Sequence, residues 1–209
     1  MRRTIFRGGS AANALTPLDR AAVWLNSEPL TAGALAGRAV LVDFWTYSCV
    51  NWLRTLPYVR AWAVRYAGDG LTVVGVHAPE FGFEPDLDNV RRAIADLDVP
   101  YPVVIDNDFT LWRAFENHYW PALYLADGTG RVRFHHFGEE AYAETERAIQ
   151  ELLEVDDELV PVDADGVAAP ADWAALGSPE TYLGSARGTG PSARAPGDLA
   201  LNGWTLTGS

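Results

Sequence analysis

Residues 39–49 have the sequence AVLVDFWTYSC, which leads from a strand-like run directly to the only cysteine of the chain. The first seven of these residues are mostly apolar and β-favouring, a pattern typical of a central strand buried on both faces. After a short turn, apolar residues recur at helical spacing from Val50 to Ala67. Cys49 is therefore predicted at the first turn of a helix, where free backbone N–H groups and the helix dipole stabilise a thiolate.

The segments after this helix alternate between strand-like and helix-like patterns. The predicted strands are residues 71–77, 100–105, 122–126 and 131–137, and the predicted helices are residues 87–97, 109–115 and 141–154. An Asp-Gly-Thr-Gly turn joins the last two strands into a hairpin. This order predicts an α/β fold with a central mixed β-sheet flanked by helices.

Composition divides the chain into three expected parts. Residues 1–37 form an N-terminal lead-in, residues 38–155 form one domain, and residues 156–209 form a linker rich in Ala, Gly, Pro and Asp that ends in a strand-like segment. We find no apolar run of the roughly 18–20 residues that would span a bilayer. No apolar segment follows the arginines at positions 2 and 3, so no secretory signal is visible and a cytoplasmic location is expected.

The charged residues and the cysteine count exclude several kinds of function. A net charge of -12 argues against nucleic acid as a partner, because phosphate binding needs clustered cations. The sequence contains no lysine, which excludes Schiff-base chemistry and lysine-dependent phosphate loops. A single cysteine excludes an internal disulfide and a zinc site built on several thiolates. We predict no cofactor, and we predict no metal site, because the adjacent His135 and His136 would face opposite ways on a strand.

Three short motifs resemble one known family when they are taken together. They are VDFWTYSC at residues 42–49, GVHAPEF at residues 75–81 and YWPA at residues 119–122. These motifs resemble the TlpA-like thioredoxin-fold family and, within it, the thioredoxin domain of DipZ-type proteins, over about residues 38–154. The resemblance implies a thioredoxin fold with an inserted strand and helix. It also implies an extracytoplasmic location as the alternative to a cytoplasmic one. Residues 156–209 would then hold the linker and a fragment, about one strand, of a C-terminal β-rich region.

The resemblance also assigns roles to individual residues. Cys49 takes the place of the attacking thiol, but the resolving cysteine expected three residues later is replaced by Trp52. Asp43 is a candidate proton-transfer group, because burial raises a carboxyl pKa; the alternative is a strand-end residue bonded to backbone. Pro121, in a cis peptide bond, would place the backbone of Trp120 beside Cys49 and offer main-chain hydrogen bonds to an extended substrate.

An aromatic rim for the substrate is expected around the thiol. Trp45, Trp52 and Trp120 are its candidate members, with Trp45 partly exposed and the exposure of Trp52 undecided. His77 and Glu80 are further candidates near the cleft, although a structural role is favoured for His77.

The leading hypothesis is a thiol-based oxidoreductase with a single cysteine in a Cys-x-x-Trp motif. Its partners would be protein or low-molecular-weight thiols and disulfides, and an external thiol would recycle it. The first alternative is a redox-inactive binding module with the same fold. The second is a one-cysteine antioxidant peroxidase, suggested by Thr46 three residues before Cys49, which would need an arginine such as Arg54 or Arg113 beside the thiol.

Overall fold

The computed structural model describes residues 13–164, 198–201 and 204–207, and the chain forms two compact units, Met1–Ala168 and Ala169–Ser209. In the first unit the strands are β1 (Trp24–Leu25), β2 (Ala39–Trp45), β3 (Leu71–His77), β4 (Val103–Ile105), β5 (Ala122–Ala126) and β6 (Val132–Phe137). Its α-helices are α1 (Val50–Arg65), α2 (Leu87–Asp96), α3 (Thr110–Ala114) and α4 (Tyr142–Leu153), and a 3-10 helix covers Thr16–Arg20. No helix among the described residues is both long enough and apolar enough to cross a membrane.

The six strands form one mixed sheet in the order β1-β4-β3-β2-β5-β6. Strand β2 runs parallel to β3 and antiparallel to β5, and all seven of its residues are buried. In this register Asp43 lies between Gly75 of β3 and Leu123 of β5. A central position with apolar cover on both faces explains why this strand is an almost unbroken apolar run.

Each face of the sheet carries its own hydrophobic core. On one face the core includes Trp52, Val59 and Trp62 of α1 together with residues of α2 and α4. On the other face it includes residues of α3 and of the N-terminal segment, among them Leu15 and Leu18. Residues 46–49 connect the carboxyl end of β2 to the start of α1, so Cys49 lies just beyond the carboxyl end of this central strand.

The predicted mixed sheet, the helices and the hairpin of β5 and β6 are confirmed, and the bounds of β2 and β3 agree with prediction. The strand predicted over residues 100–105 is shorter, because only Val103–Ile105 pair with β3. The N-terminal segment also contributes more to the domain than its composition suggests. Its short strand β1 pairs with β4, and a strand of two residues is too short to show a pattern that predicts it.

A buried carboxylate, Glu146 on α4, holds the end of the first unit together. Its Oε1 accepts hydrogen bonds from the Tyr66 hydroxyl at 2.7 Å and from the Val160 backbone N–H at 2.8 Å. Its Oε2 accepts one from the Trp62 indole N–H at 3.0 Å. Glu146 therefore satisfies donors from α1, from the residue after it, and from the segment that follows α4.

We expect Glu146→Ala to lower the free energy of unfolding by about 3 kcal/mol or more, because it leaves buried donors without an acceptor. Urea unfolding followed by tryptophan fluorescence measures the loss. The matched control is Glu151→Ala, which removes an exposed glutamate from the same helix and should change stability by less than about 0.5 kcal/mol. Equal effects of the two substitutions would contradict the assigned role of the carboxylate.

The second unit contains two described strands, β7 (Asp198–Leu201) and β8 (Trp204–Thr207), which pair antiparallel. The sequence predicts strand character here, and the segment forms a strand pair. The linker expected within residues 156–209 falls mostly on residues outside the described part of the chain.

Candidate active site around Cys49

Cys49 is the N-cap residue of α1, with an extended backbone. Its side chain is half-buried, and its thiol donates a hydrogen bond to the Trp120 carbonyl oxygen at an Sγ–O distance of 3.7 Å. The peptide bond between Trp120 and Pro121 is cis, as the family resemblance implies. Two segments far apart in sequence, the start of α1 and the entry to β5, therefore meet at the sulfur.

The pKa of the Cys49 thiol shifts in the direction opposite to the sequence expectation. Burial raises this pKa above its ordinary value, and the backbone N–H groups of Trp52 and Asn51 counteract only part of the effect. The carboxylates of Glu80 and Glu84 raise it further. The expectation of a net stabilised thiolate is wrong because the helix start is only one of several influences on the sulfur.

Asp43 lies at the centre of a buried hydrogen-bond network beneath the site. Its Oδ2 accepts hydrogen bonds from the Trp52 indole N–H and from the Tyr101 hydroxyl, each at 3.1 Å. Its Oδ1 has no hydrogen-bond partner among the described residues. Burial raises the pKa of Asp43 to about 7, although both hydrogen bonds lower it. The carboxyl group therefore changes its protonation near neutral pH.

Trp45 and Trp52 do not form an exposed rim, so the expected partial exposure of Trp45 is wrong. Both side chains have 0% relative exposure, and their rings stack with centroids 4.2 Å apart. Burial follows from position, because Trp45 ends the central strand and Trp52 lies on the inner face of α1. Trp52 thus fills space below Cys49 and binds Asp43.

Trp120 lies closer to the surface than the two stacked tryptophans. Its side chain is half-buried, its indole N–H donates to the Ala78 carbonyl oxygen at 2.9 Å, and its ring packs on Trp112 at 4.2 Å. Pro121 is buried. Trp120 therefore presents its backbone to Cys49 and its ring to the loop after β3.

The site contains an acidic residue that the sequence motifs did not single out. Glu84 has 0% relative exposure and accepts hydrogen bonds from the Ser48 hydroxyl and from the backbone N–H groups of Phe81 and Glu80. Burial works to raise the pKa of Glu84, but hydrogen bonds outweigh it and lower the pKa below its usual value. Glu84 is therefore an ionised carboxylate bonded to the residue next to Cys49.

His77 and Tyr47 continue the buried aromatic contacts toward this carboxylate. The His77 ring meets Trp45 edge-on at 5.0 Å and stacks on Tyr47 at 5.7 Å. Neither ring nitrogen of His77 has a hydrogen-bond partner among the described residues, and burial lowers its pKa to about 4. His77 is consequently neutral at physiological pH.

Exposed aromatic side chains lie on two segments near Cys49, the loop after β3 and the segment before the cis-proline. On the loop after β3, Phe81 and Phe83 are 51% and 54% exposed, and their rings stack almost parallel at 5.7 Å. Beside the cis-proline, Tyr119 is exposed and contacts Phe137 at 5.1 Å. The accessible aromatic surface is therefore supplied by these loops, and the two buried tryptophans of the motif contribute nothing to it.

Arg54, one of the arginines considered for a peroxidase site, forms an ion pair with Glu139 at 3.0 Å. The charged groups that shift the pKa of Cys49 are carboxylates, and both raise it. This surrounding disfavours the thiolate that peroxide reduction requires.

Comparison with known proteins places these features in a family. No protein-family model matches the chain. The protein DipZ of Mycobacterium bovis is 44% identical over 133 residues, which are 62% of this chain and 19% of DipZ. The thiol-disulfide oxidoreductase YkuV of Bacillus subtilis is 32% identical over 130 residues, which are 62% of this chain and 87% of YkuV. The chain belongs to the TlpA-like thioredoxin-fold family.

A solved relative of this family agrees with the fold. The solution structure of a thioredoxin-like protein in its oxidised form superposes with a TM-score of 0.59 at 31% identity. That match covers 69% of this chain and all of the other protein. The chain spans about a fifth of the length of DipZ, so it corresponds to one part of that protein. Its thioredoxin-like part accordingly carries the family likeness to thiol-disulfide oxidoreductases.

Proposed function

We propose that the protein is a thiol-disulfide oxidoreductase that works through Cys49 alone and is recycled by an external thiol. The observation that carries this proposal is the contact of the half-buried Cys49 sulfur with the Trp120 carbonyl beside cis-Pro121. An extended partner lying along this segment would bring its own sulfur to Cys49. The chain has no second cysteine, so a mixed disulfide has no internal route of release.

The proposed cycle has two exchange steps. In the first, the Cys49 thiolate attacks one sulfur of a disulfide, the old S–S bond breaks, and the other half leaves as a thiol with the proton that Cys49 gave up. In the second, an external thiol attacks the partner's sulfur in the mixed disulfide. The partner leaves in a new disulfide with that thiol, and Cys49 regains its proton.

Asp43 is the proposed proton-transfer group for these steps. With a pKa near 7, its carboxyl group can accept or release a proton at neutral pH. Trp52 connects it to the thiol, because its indole N–H donates to Asp43 while its backbone N–H acts on the Cys49 sulfur. Trp120 and Pro121 are the proposed substrate-binding residues, and Trp45 and Trp52 act from below by positioning the site.

The test is capture of a mixed disulfide with the neutral reagent 2-hydroxyethyl disulfide. We expect one hydroxyethylthio group per chain by mass spectrometry, faster at pH 8.5 than at pH 7, and its removal by an added thiol. The rate rises with pH because the pKa of Cys49 is raised, so a larger fraction of the thiol is ionised at pH 8.5 than at pH 7. Cys49→Ser is the control and should form no adduct. A wild-type thiol that stays unmodified at both pH values would contradict the proposal.

The second candidate function is a binding module of the same fold, and the raised pKa of the Cys49 thiol favours it. In that case the exposed aromatic residues beside the cis-proline hold a partner without covalent exchange. Cys49→Ser would then bind the partner as the wild type does, whereas the proposed oxidoreductase would lose its covalent complex.

A further inference from the structure

One flank of the Cys49 site carries a fixed negative charge. Glu84 is buried and ionised, and it accepts a hydrogen bond from the hydroxyl of Ser48, the residue directly before Cys49. Glu80 lies on the same loop, and its backbone N–H donates to the Glu84 carboxylate. These hydrogen bonds hold the Glu84 carboxylate against the residue that precedes Cys49.

Other charged groups offset this flank only in part. His77 stacks on Tyr47 next to it but is neutral at physiological pH. Asp86 raises the pKa of the Tyr47 hydroxyl and Arg92 lowers it. Arg92 also donates a hydrogen bond to Asn89 on α2. Arg54 forms an ion pair with Glu139.

The same flank presents aromatic faces to solvent. The half-exposed rings of Phe81 and Phe83 stack on one loop with the two glutamates, and the Tyr47 hydroxyl donates to the Phe83 carbonyl oxygen at 3.3 Å. Faces of aromatic rings attract cations, as carboxylates do. Two independent features of the loop therefore favour a positive charge next to Cys49.

We propose that the loop of residues 80–84 makes Cys49 selective for thiols and disulfides that carry a positive charge beside the reacting sulfur. The inference rests on the proposed function, because it names the chemical class of its partner. The carboxylates that disfavour the Cys49 thiolate also repel an approaching anionic thiol. A cationic partner instead offsets the repulsion between these carboxylates and the thiolate as it approaches. Anionic thiols such as glutathione are accordingly poor partners.

The test compares three methanethiosulfonate reagents that transfer a cationic, a neutral or an anionic thioalkyl group. In each reaction the Cys49 thiolate forms the new S–S bond and methanesulfinate leaves. Rates are divided by those of a small free thiol, which removes the intrinsic reactivity of each reagent. At low ionic strength we expect the normalised rate for the cationic reagent to exceed that for the anionic one about tenfold, and salt should reduce this ratio.

Two substitutions assign the selectivity to the loop. Glu80→Gln and Glu84→Gln should each lower the cationic-to-anionic ratio by about threefold or more. The control Glu151→Gln removes an exposed negative charge on α4 and should leave the ratio unchanged. Because Glu84→Gln also removes hydrogen bonds that hold the loop, the Glu80 variant and the salt dependence of the wild type test independently whether charge causes the selectivity.

The possible failures are distinguishable. If none of the three reagents modifies Cys49, the proposed function fails. If all three react at equal normalised rates and the glutamate variants behave as the wild type, charge selection is overturned and the proposed function stands.

A final comparison distinguishes small from peptidic partners. Cystamine is the small cationic disulfide, and a dimer of a short Arg-Cys peptide is the peptidic one. The inference is supported if either disulfide exchanges about fivefold faster than glutathione disulfide. The faster of the two shows whether the cationic partner is a small molecule or a peptide. Both being slower than glutathione disulfide overturns it.

Discussion

The Asp43→Asn variant is expected to gain about 4 kcal/mol of stability relative to the wild type as the pH rises from 4 to 8. Burial raises the pKa of Asp43 from 3.8 to about 7 in the folded protein, whereas the unfolded chain has the ordinary value. Between these two values the folded state holds a proton that the unfolded state has lost. Wild-type stability from this group is therefore complete below about pH 4 and is lost as the pH rises through 7.

The gain is a difference between pH values, and it is measured by urea unfolding of both proteins across that range. At pH 4 the asparagine can cost about 1 kcal/mol, because its amide N–H₂ would lie where Oδ1 has no described partner. The control is Asp96→Asn, which changes an exposed aspartate at the end of α2. If the Asp43 variant and the wild type lose stability in parallel with pH, the carboxyl group does not titrate as a buried acid.

Local patterns predict most of the fold. The apolar run of β2, the helical spacing after Cys49 and the Asp-Gly turn of the hairpin each depend on neighbours in sequence, and each corresponds to an observed element. Strand β1 was missed because two residues carry no periodicity and pair only after β4 is in place. The length of β4 is likewise set by its partner strand and is not visible in its own residues.

The candidate site was predictable only where one segment carries it. Asp43 and Cys49 follow from one motif of eight residues, and the cis-proline follows from the family likeness of a second motif. The burial of Trp45 depends on the sheet and helices that cover it, which no local pattern reveals. Glu84 was missed because its contact with Ser48 joins positions 36 residues apart, and a glutamate in a loop is ordinarily exposed. Its one signal in the sequence is its position among Phe81, Phe83 and Pro85, in the loop that also contains Glu80 and was expected near the cleft.

These contacts change the meaning of the cysteine motif. The position of Cys49 at the start of α1 favours a thiolate, but burial, Glu80 and Glu84 together outweigh the helix amides. The raised pKa keeps the thiol protonated at neutral pH, so the proposed exchange would depend on proton removal and, by our inference, on the charge of the partner. In the same first turn Trp52 fills the position of a resolving thiol and bonds Asp43, so one residue accounts for both the missing second sulfur and the buried acid network.

Trp52→Cys is expected to convert single exchange into a complete dithiol reaction. With one molecule of neutral dipyridyl disulfide per chain, the wild type should release one thiopyridone and keep the other half bound to Cys49. In the variant the new thiol attacks Cys49 in that mixed disulfide and displaces the second thiopyridone. The geometry is suitable, because residues three apart in a helical turn have Cβ atoms about 5–6 Å apart and a small backbone shift brings them to disulfide distance.

Trp52→Ala is the matched control, since it leaves the same space below Cys49 without adding a thiol. Both substitutions remove the ring stacked on Trp45 and a donor to Asp43, so each should cost about 3–5 kcal/mol of stability. Unfolding curves establish that both variants are folded under the assay conditions. The alanine variant should release one thiopyridone per chain, and the cysteine variant two, with a final mass that shows an internal disulfide and no pyridyl group. One thiopyridone from a folded cysteine variant would mean that position 52 does not face the Cys49 sulfur. The absence of a resolving thiol would then fail to explain the proposed dependence of this site on an external thiol.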